Sequence, residues 1–187
     1  EIRLSLVGSE MCIREAIDED EREDLRIPTI ATQSELDEYE QKNIEETIIW
    51  SLKRKFTQKE IFSEAFVKRV HKRCKEMSER AGKFRKTVKN LGVDKSVIGV
   101  ELLKLLDDAK YWIDNKTFKP DEIAIRFKHR IEVIHCFPNG NGRHSRLMAD
   151  IIIEKIYGLP VFNWGAGNLK NAGEIRTNYI NALKNAD

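Results

Sequence analysis

Cysteine is scarce in this 187-residue chain. Cys12, Cys74 and Cys136 are scattered and odd in number, and no Cys-x-x-Cys pair occurs. That argues against a disulfide framework and against a cysteine-built metal site. Such usage suits a reducing compartment, so a cytoplasmic setting is expected. Long apolar runs are lacking too. None reaches the roughly 18 residues of a membrane span, and the opening Glu1–Gly8 stretch is too short and polar for a leader. Neither sign of charge dominates, since the net charge is only +2. No global basic field therefore argues for nucleic acid. Internal repeats and low-complexity segments are absent as well.

What remains is an ordinary folding composition, 34% charged and 41% hydrophobic, with length enough for one domain and a sizeable core. Charge is unevenly spread. Acids outnumber bases in residues 1–46, and bases outnumber acids in 51–90. Residues 1–27 read as an acidic arm ending near Pro28, and 28–187 as the domain. Ser34, with Asp37 three residues on, resembles a capping box, which predicts a helix over 34–54 with Ile44 and Ile48 on its apolar stripe. Thr57-Gln58-Lys59-Glu60 is a second box opening a helix over 58–76. That helix carries Phe62, Phe66 and Val70 on one side and Lys68, Arg69, Lys72 and Arg73 on the other. The basic side reads as a solvated face more readily than as a phosphate-binding one. Val100–Ala109 is a further amphipathic helix. Tyr111, Trp112 and Ile113, followed by Asp114-Asn115-Lys116, read as a small β-hairpin over 111–118. Pro120 suits the first turn of a helix running to Ile134, with Ala124, Phe127 and Ile131 buried. His135 then sits at that helix's C-terminus, where the dipole favours an imidazolium and raises its pKa. His71, His129 and His144 read as surface or structural. The fold class is all-α: a helical bundle around a central buried helix, with one small hairpin.

The densest chemistry lies at 135–146. His135 stands first. Gly140 and Gly142 flank Asn141, and Arg143 and Arg146 follow three residues apart. An apolar helix, Leu147–Ile156, begins at once. A helix start leaves N–H groups unpaired and carries partial positive charge. Glycine-rich N–H groups can form an anion nest, and the two arginines share a face of the first turn. Together these suit a polyphosphate.

The stretch resembles the Fic family signature, His-x-Phe-x-(Asp/Glu)-Gly-Asn-Gly-Arg-x-x-Arg. Here it reads His135-x-Phe137-x-Asn139-Gly140-Asn141-Gly142-Arg143-x-x-Arg146. Ala81-Gly82-Lys83-Phe84-Arg85 and Tyr179-Ile180-x-Ala182-Leu183 are also similar to the family, and the pattern is closest to its bacterial mobile mystery protein B subgroup. The resemblance implies a protein adenylyltransferase. AMP moves from ATP to a Ser, Thr or Tyr hydroxyl of a protein target, or of the chain itself. His135 is then the general base, Gly140, Gly142, Arg143 and Arg146 hold phosphates, Asn141 orients the α-phosphate, and Asn178 and Tyr179 line the adenosine side. Mg²⁺ is expected at position 139, but Asn139 replaces the acidic ligand there and brings no charge. A Ser/Thr-x-x-x-Glu pattern in an N-terminal helix is inhibitory in one class of the family. Ser34 and Glu38 resemble it, with Glu35 second, although Tyr39 replaces the final Gly/Asn. The hairpin at Tyr111, Trp112 and Ile113 is expected to dock the target. Related Doc toxins transfer phosphate and carry lysine at the second glycine, whereas this chain keeps Gly142. Another nucleotide donor, phosphate transfer, or a module that binds nucleotide or nucleic acid without turnover, is the alternative.

Overall fold

Thr32, not Ser34, opens the first helix. The Thr32 hydroxyl accepts the Glu35 N–H at 3.3 Å, and the Glu35 carboxylate accepts the Thr32 N–H at 3.1 Å. That reciprocal box satisfies two end donors two residues earlier than expected, and Ser34 lies inside the helix. The computed structural model describes Leu25 and residues 32–76, 78–89 and 91–164. Its elements are α1 (Gln33–Lys53), α2 (Gln58–Ile61), α3 (Glu64–Cys74), α4 (Ile98–Asp114), α5 (Pro120–Ile134) and α6 (Asn141–Tyr157). β pairing among the described residues is confined to isolated bridge positions, such as the antiparallel bridge between Leu25 and Ser78. The fold is all-α.

Two expected elements change. The helix predicted over 58–76 is split at Phe62, because Ser63 caps a new start: its hydroxyl accepts the Phe66 N–H at 3.2 Å and donates to the Glu60 carbonyl at 2.7 Å. The hairpin over 111–118 does not form. Tyr111, Trp112 and Ile113 are the last turn of α4. The buried stripe Leu102, Leu105, Leu106 and Ala109 carries the helix through them. Asp114-Asn115-Lys116 is a helix stop rather than a hairpin turn. Lys116 takes φ 51°, and the Thr117 N–H returns to the Trp112 carbonyl at 2.9 Å.

α6 is the central helix. Leu147, Met148, Ala149, Ile151, Ile152 and Ile153 are all buried. α5 packs most extensively against α6, presenting Ala124, Phe127, Ile131 and Ile134, while α4 covers α5 and α3 reaches α6. Each large apolar side chain so buried stabilises the fold by about 1.5–3 kcal/mol. Gly158 stops α6 in a left-handed conformation, φ 65°. The chain divides into two units, residues 14–161, which hold the six described helices, and 1–13 with 162–187. Of the second only 162–164 are described, where the Phe162 and Trp164 rings lie 5.1 Å apart. Asn178, Tyr179 and the closing helix expected near them lie outside the described residues. Among the described residues no helix is long and apolar enough to cross a membrane.

Candidate functional site

The site is built where α5 ends and α6 begins. His135 closes α5 in a left-handed conformation, φ 53° and ψ 59°. For a residue with a β-carbon that conformation costs about 1–2 kcal/mol, so its surroundings must impose it. Arg85 does so from the side. Buried at 3% exposure, it donates from Nε to the His135 carbonyl at 2.7 Å, while its backbone N–H donates to the Cys136 carbonyl at 3.0 Å. The imidazole itself hydrogen-bonds the Glu132 carbonyl. Burial, and then the Arg85 charge, hold the His135 pKa below the ordinary histidine value. This reverses the expectation from the helix dipole. Desolvation disfavours the charged ring, and a cation beside it adds to that effect. His135 is therefore neutral at neutral pH and able to accept a proton.

The loop beyond is clamped by Asn141. Its Oδ1 accepts the Phe137 N–H at 3.0 Å, and its Nδ2 donates to the Phe137 carbonyl at 2.8 Å. Asn141 is buried, so this amide shapes the loop directly. Gly140 caps α6 with φ 69°. That left-handed backbone favours glycine, and a β-carbon there would also meet the Lys75 Cε at 2.8 Å. Asn141 and Gly142 are the first residues of α6, and their N–H groups belong to its unpaired N-terminal turn.

Beneath the loop lies His71, read from sequence as surface or structural. It is buried and stacks on Phe137, with ring centroids 3.7 Å apart. Its Nδ1 accepts the Gly82 N–H at 2.9 Å, which leaves Nε2–H to donate to the Asn139 carbonyl at 3.1 Å. Burial drops its pKa to about 3, so this tautomer persists at neutral pH. His144 is buried likewise, faces the Val67 carbonyl from Nε2 at 3.1 Å, and has its pKa lowered to about 4.

The N-terminal helix does enter the site, but not through Glu38. Glu38 is exposed, and Glu35 is engaged in the Thr32 cap. Two residues beyond Glu38, about 200° round the helix, Glu40 is 3% exposed and pairs with both Lys75 and Arg143. Burial alone raises a carboxyl. Here Lys75 and Arg143 outweigh it and keep Glu40 below the usual glutamate range. The partner is thus the first motif arginine. Nothing in a linear reading singled out Glu40, because Lys75 and Arg143 lie 35 and 103 residues along the chain from it.

Behind Gly142 runs a second bridge. Lys128 pairs with Glu132 at 2.6 Å, and the Ser145 hydroxyl lies 3.2 Å from Glu132 and 2.9 Å from the Gly142 carbonyl. It ties the end of α5 to the start of α6. Asp150 is buried one turn beyond Arg146. Tyr111, Trp112 and Ile113 instead end α4, where Trp112 meets Phe118 with centroids 5.8 Å apart. The segment that does lie against His135 is the one around Gly92, where an added β-carbon would come within 2.6 Å of the His135 Cβ. Val88 and Leu91 on that segment are exposed.

Mg²⁺ fits this donor set poorly on the protein side. Among the described residues no three His, Cys, Asp or Glu side chains gather to hold a metal, and Asn139 offers one neutral amide. An ion of that kind takes most of its ligands from substrate phosphates and water.

Residues 61–153 match the model of the Fic/DOC family. No curated protein is similar enough in sequence to match. Solved structures share the fold. The N-terminal Fic domain of Bep8, a VirB-translocated effector of Bartonella sp. 1-1C, is 17% identical, with TM-score 0.63 over 83% of this chain and 77% of that one. A Fic-domain-containing signaling protein from Bacteroides thetaiotaomicron VPI-5482 is 19% identical, with TM-score 0.61 over 79% of this chain. Fic-1 from C. elegans is 18% identical, with TM-score 0.57 over 76% of this chain. The chain spans 56% of the Bacteroides protein and 42% of the C. elegans one. With His135, the glycine loop and both arginines falling inside the matched segment, residues 61–153 form a domain of the Fic/DOC family.

Proposed function

We propose that the chain transfers AMP from ATP to a protein hydroxyl. The observation that carries this reading is an imidazole fixed at the end of α5, within one short loop of the N-terminal turn of α6 and of Arg143 and Arg146 on it. The hydroxyl oxygen attacks the α-phosphorus and its proton passes to His135. The new O–P bond forms as the bond to the bridging oxygen breaks, and pyrophosphate leaves. Arg143, Arg146 and the Gly140–Gly142 backbone neutralise the charge that moves onto the phosphate oxygens. Were a Mg²⁺ carried in with the triphosphate, Asn139 would be its neutral amide ligand on the protein side, and the ion would add charge neutralisation there. Lys75 belongs to the same cationic cluster through Glu40. Protein targets are taken from the side of Val88 and Leu91.

Much of the basic stretch has intramolecular work, which disfavours a nucleic-acid binder. Arg73 and Arg69 lie over Trp50 at 4.5 and 5.5 Å, Lys68 pairs with Glu64, and Lys75 and Arg85 are buried. Glu40 restrains the site, since Arg143 must leave it to reach a phosphate.

The test uses ATP labelled at the α- or the γ-phosphate, with the parent and His135→Ala. Label from the α-position, lost in His135→Ala while the protein stays folded, is the expected result. Label from the γ-position alone overturns AMP transfer in favour of phosphate transfer. DNA affinity that falls with salt and ignores His135→Ala favours the binding module.

A further inference from the structure

Arg85 is a buried cation whose hydrogen bonds all run to backbone carbonyls. Beyond the bond to His135, it donates from Nη1 to Thr87 at 2.9 Å and from Nη2 to Val93. Those carbonyls belong to Thr87 and Val93, either side of the described residues 88–89 and 91–92, of which Gly92 lies against the end of α5. Gly92 makes the closest approach, at φ 103°. A β-carbon there would fall 2.6 Å from the His135 Cβ, 2.9 Å from Arg85 Nη2 and 3.2 Å from the Ile134 carbonyl. One guanidinium thus fastens the segment to the histidine's own backbone. We infer that Arg85 is a positioning residue for His135, its fork fixing the left-handed turn that carries the imidazole. This inference deepens the transfer reading and rests on it.

The fork is what the geometry demands. Carbonyls of His135, Thr87 and Val93 are reached from three different nitrogens, which a single ammonium cannot reproduce. The charge has a separate consequence. The groups acting on His135 are Arg85 and Lys89, which disfavour the imidazolium, and Glu132, which favours it through its carboxylate and its carbonyl. Removing the Arg85 charge therefore raises the midpoint of His135. Keeping the charge while removing the fork leaves the midpoint low and loosens the turn.

The experiment compares the parent with Arg85→Gln and Arg85→Lys in the full chain. Histidine ring-nitrogen NMR, without nucleotide, gives the His135 midpoint and tautomer, and the transfer assay gives kcat and the KM for ATP. Arg85→Gln is expected to raise the midpoint. Arg85→Lys is expected to keep it, yet to lower kcat by about 100-fold, the scale on which a displaced reacting group costs rate, with KM within about twofold. A parent-like midpoint in folded Arg85→Gln, or parent-like kcat in Arg85→Lys, overturns the inference. If Arg85→Gln does not fold, the Arg85→Lys rate decides alone. If the parent transfers nothing, the transfer reading fails by itself. The NMR then decides: a mixed His135 tautomer in Arg85→Lys supports the strap, and the parent's single tautomer refutes it.

Discussion

Glu40→Gln separates stability from ligand binding at one atom pair. Glu40 is buried between Lys75, whose side chain is 7% exposed, and Arg143, at 19%. The substitution keeps the volume and removes the charge, leaving two cations facing each other with little water. Breaking a buried pair from one side costs about 3–5 kcal/mol. An isosteric amide that still accepts a hydrogen bond belongs near the lower figure. For a chain of this size 1 kcal/mol moves Tm by about 2–4 °C, so Tm falls by about 6–12 °C without nucleotide. Arg143 is then released from a competing carboxylate, and ATP binding recovers part of the loss. Ligand at 100 times its Kd adds about 2.7 kcal/mol. Thermal unfolding with and without ATP is the assay. The ATP-dependent rise in Tm is expected to be larger in Glu40→Gln than in the parent. A Tm close to the parent's, or an equal or smaller ATP increment, refutes the claim that Glu40 both supports the fold and restrains Arg143. Adding Lys75→Met should return most of the stability, because a well-packed apolar replacement of a buried pair is often neutral.

Other outcomes follow from the same geometry. His71 and His144 have pKa values lowered from 6.5 to about 3 and about 4, so the unfolded chain binds protons that the folded one does not. Their contribution is fully present above 6.5 and is lost as pH falls toward those values, by about 1.4 kcal/mol per pH unit per group; urea midpoints measured from pH 7 to pH 5 check it. His71→Leu removes the donor to Asn139 and the acceptor for Gly82, and should lower kcat while costing about 1–3 kcal/mol in urea unfolding. Gly82→Ala places a β-carbon 2.8 Å from the Lys68 carbonyl at φ 73°, and should destabilise by more than 1 kcal/mol. Burial raises the Cys74 and Cys136 thiols to about 11 and about 12, so peptide mapping should find both unlabelled by thiol reagents at pH 8 until the chain unfolds.

The sequence made the helices legible where capping chemistry and apolar spacing agreed. α5 runs from Pro120 to Ile134 as read, and α6 starts at the glycine loop and stops at Gly158. The errors have local causes. Thr32 competed with Ser34 for one helix end, and either reads as a cap. Asp114-Asn115-Lys116 carries turn chemistry that serves a helix stop as well as a hairpin. The motif named His135, Gly140, Asn141, Gly142, Arg143 and Arg146 because they are contiguous, and the structure gathers them at one helix junction. Glu40 and Lys75 escaped, and the parts played by His71 and Arg85 went unread, because their meaning comes from partners far along the chain. The pKa of His135 went the wrong way for the same reason. The helix dipole is visible in sequence, whereas burial and Arg85 beside the ring are not.

The central claim is that His135 accepts a proton during transfer of AMP, with Glu40 as the restraint. Intact-mass measurement after incubation with ATP and Mg²⁺ tests it on three proteins: the parent, Glu40→Gln, and Glu40→Gln with His135→Ala. One AMP added to Glu40→Gln, more than to the parent and absent from the folded double variant, is the result this account predicts. An AMP adduct that survives His135→Ala, or its absence from Glu40→Gln at saturating ATP, would contradict it.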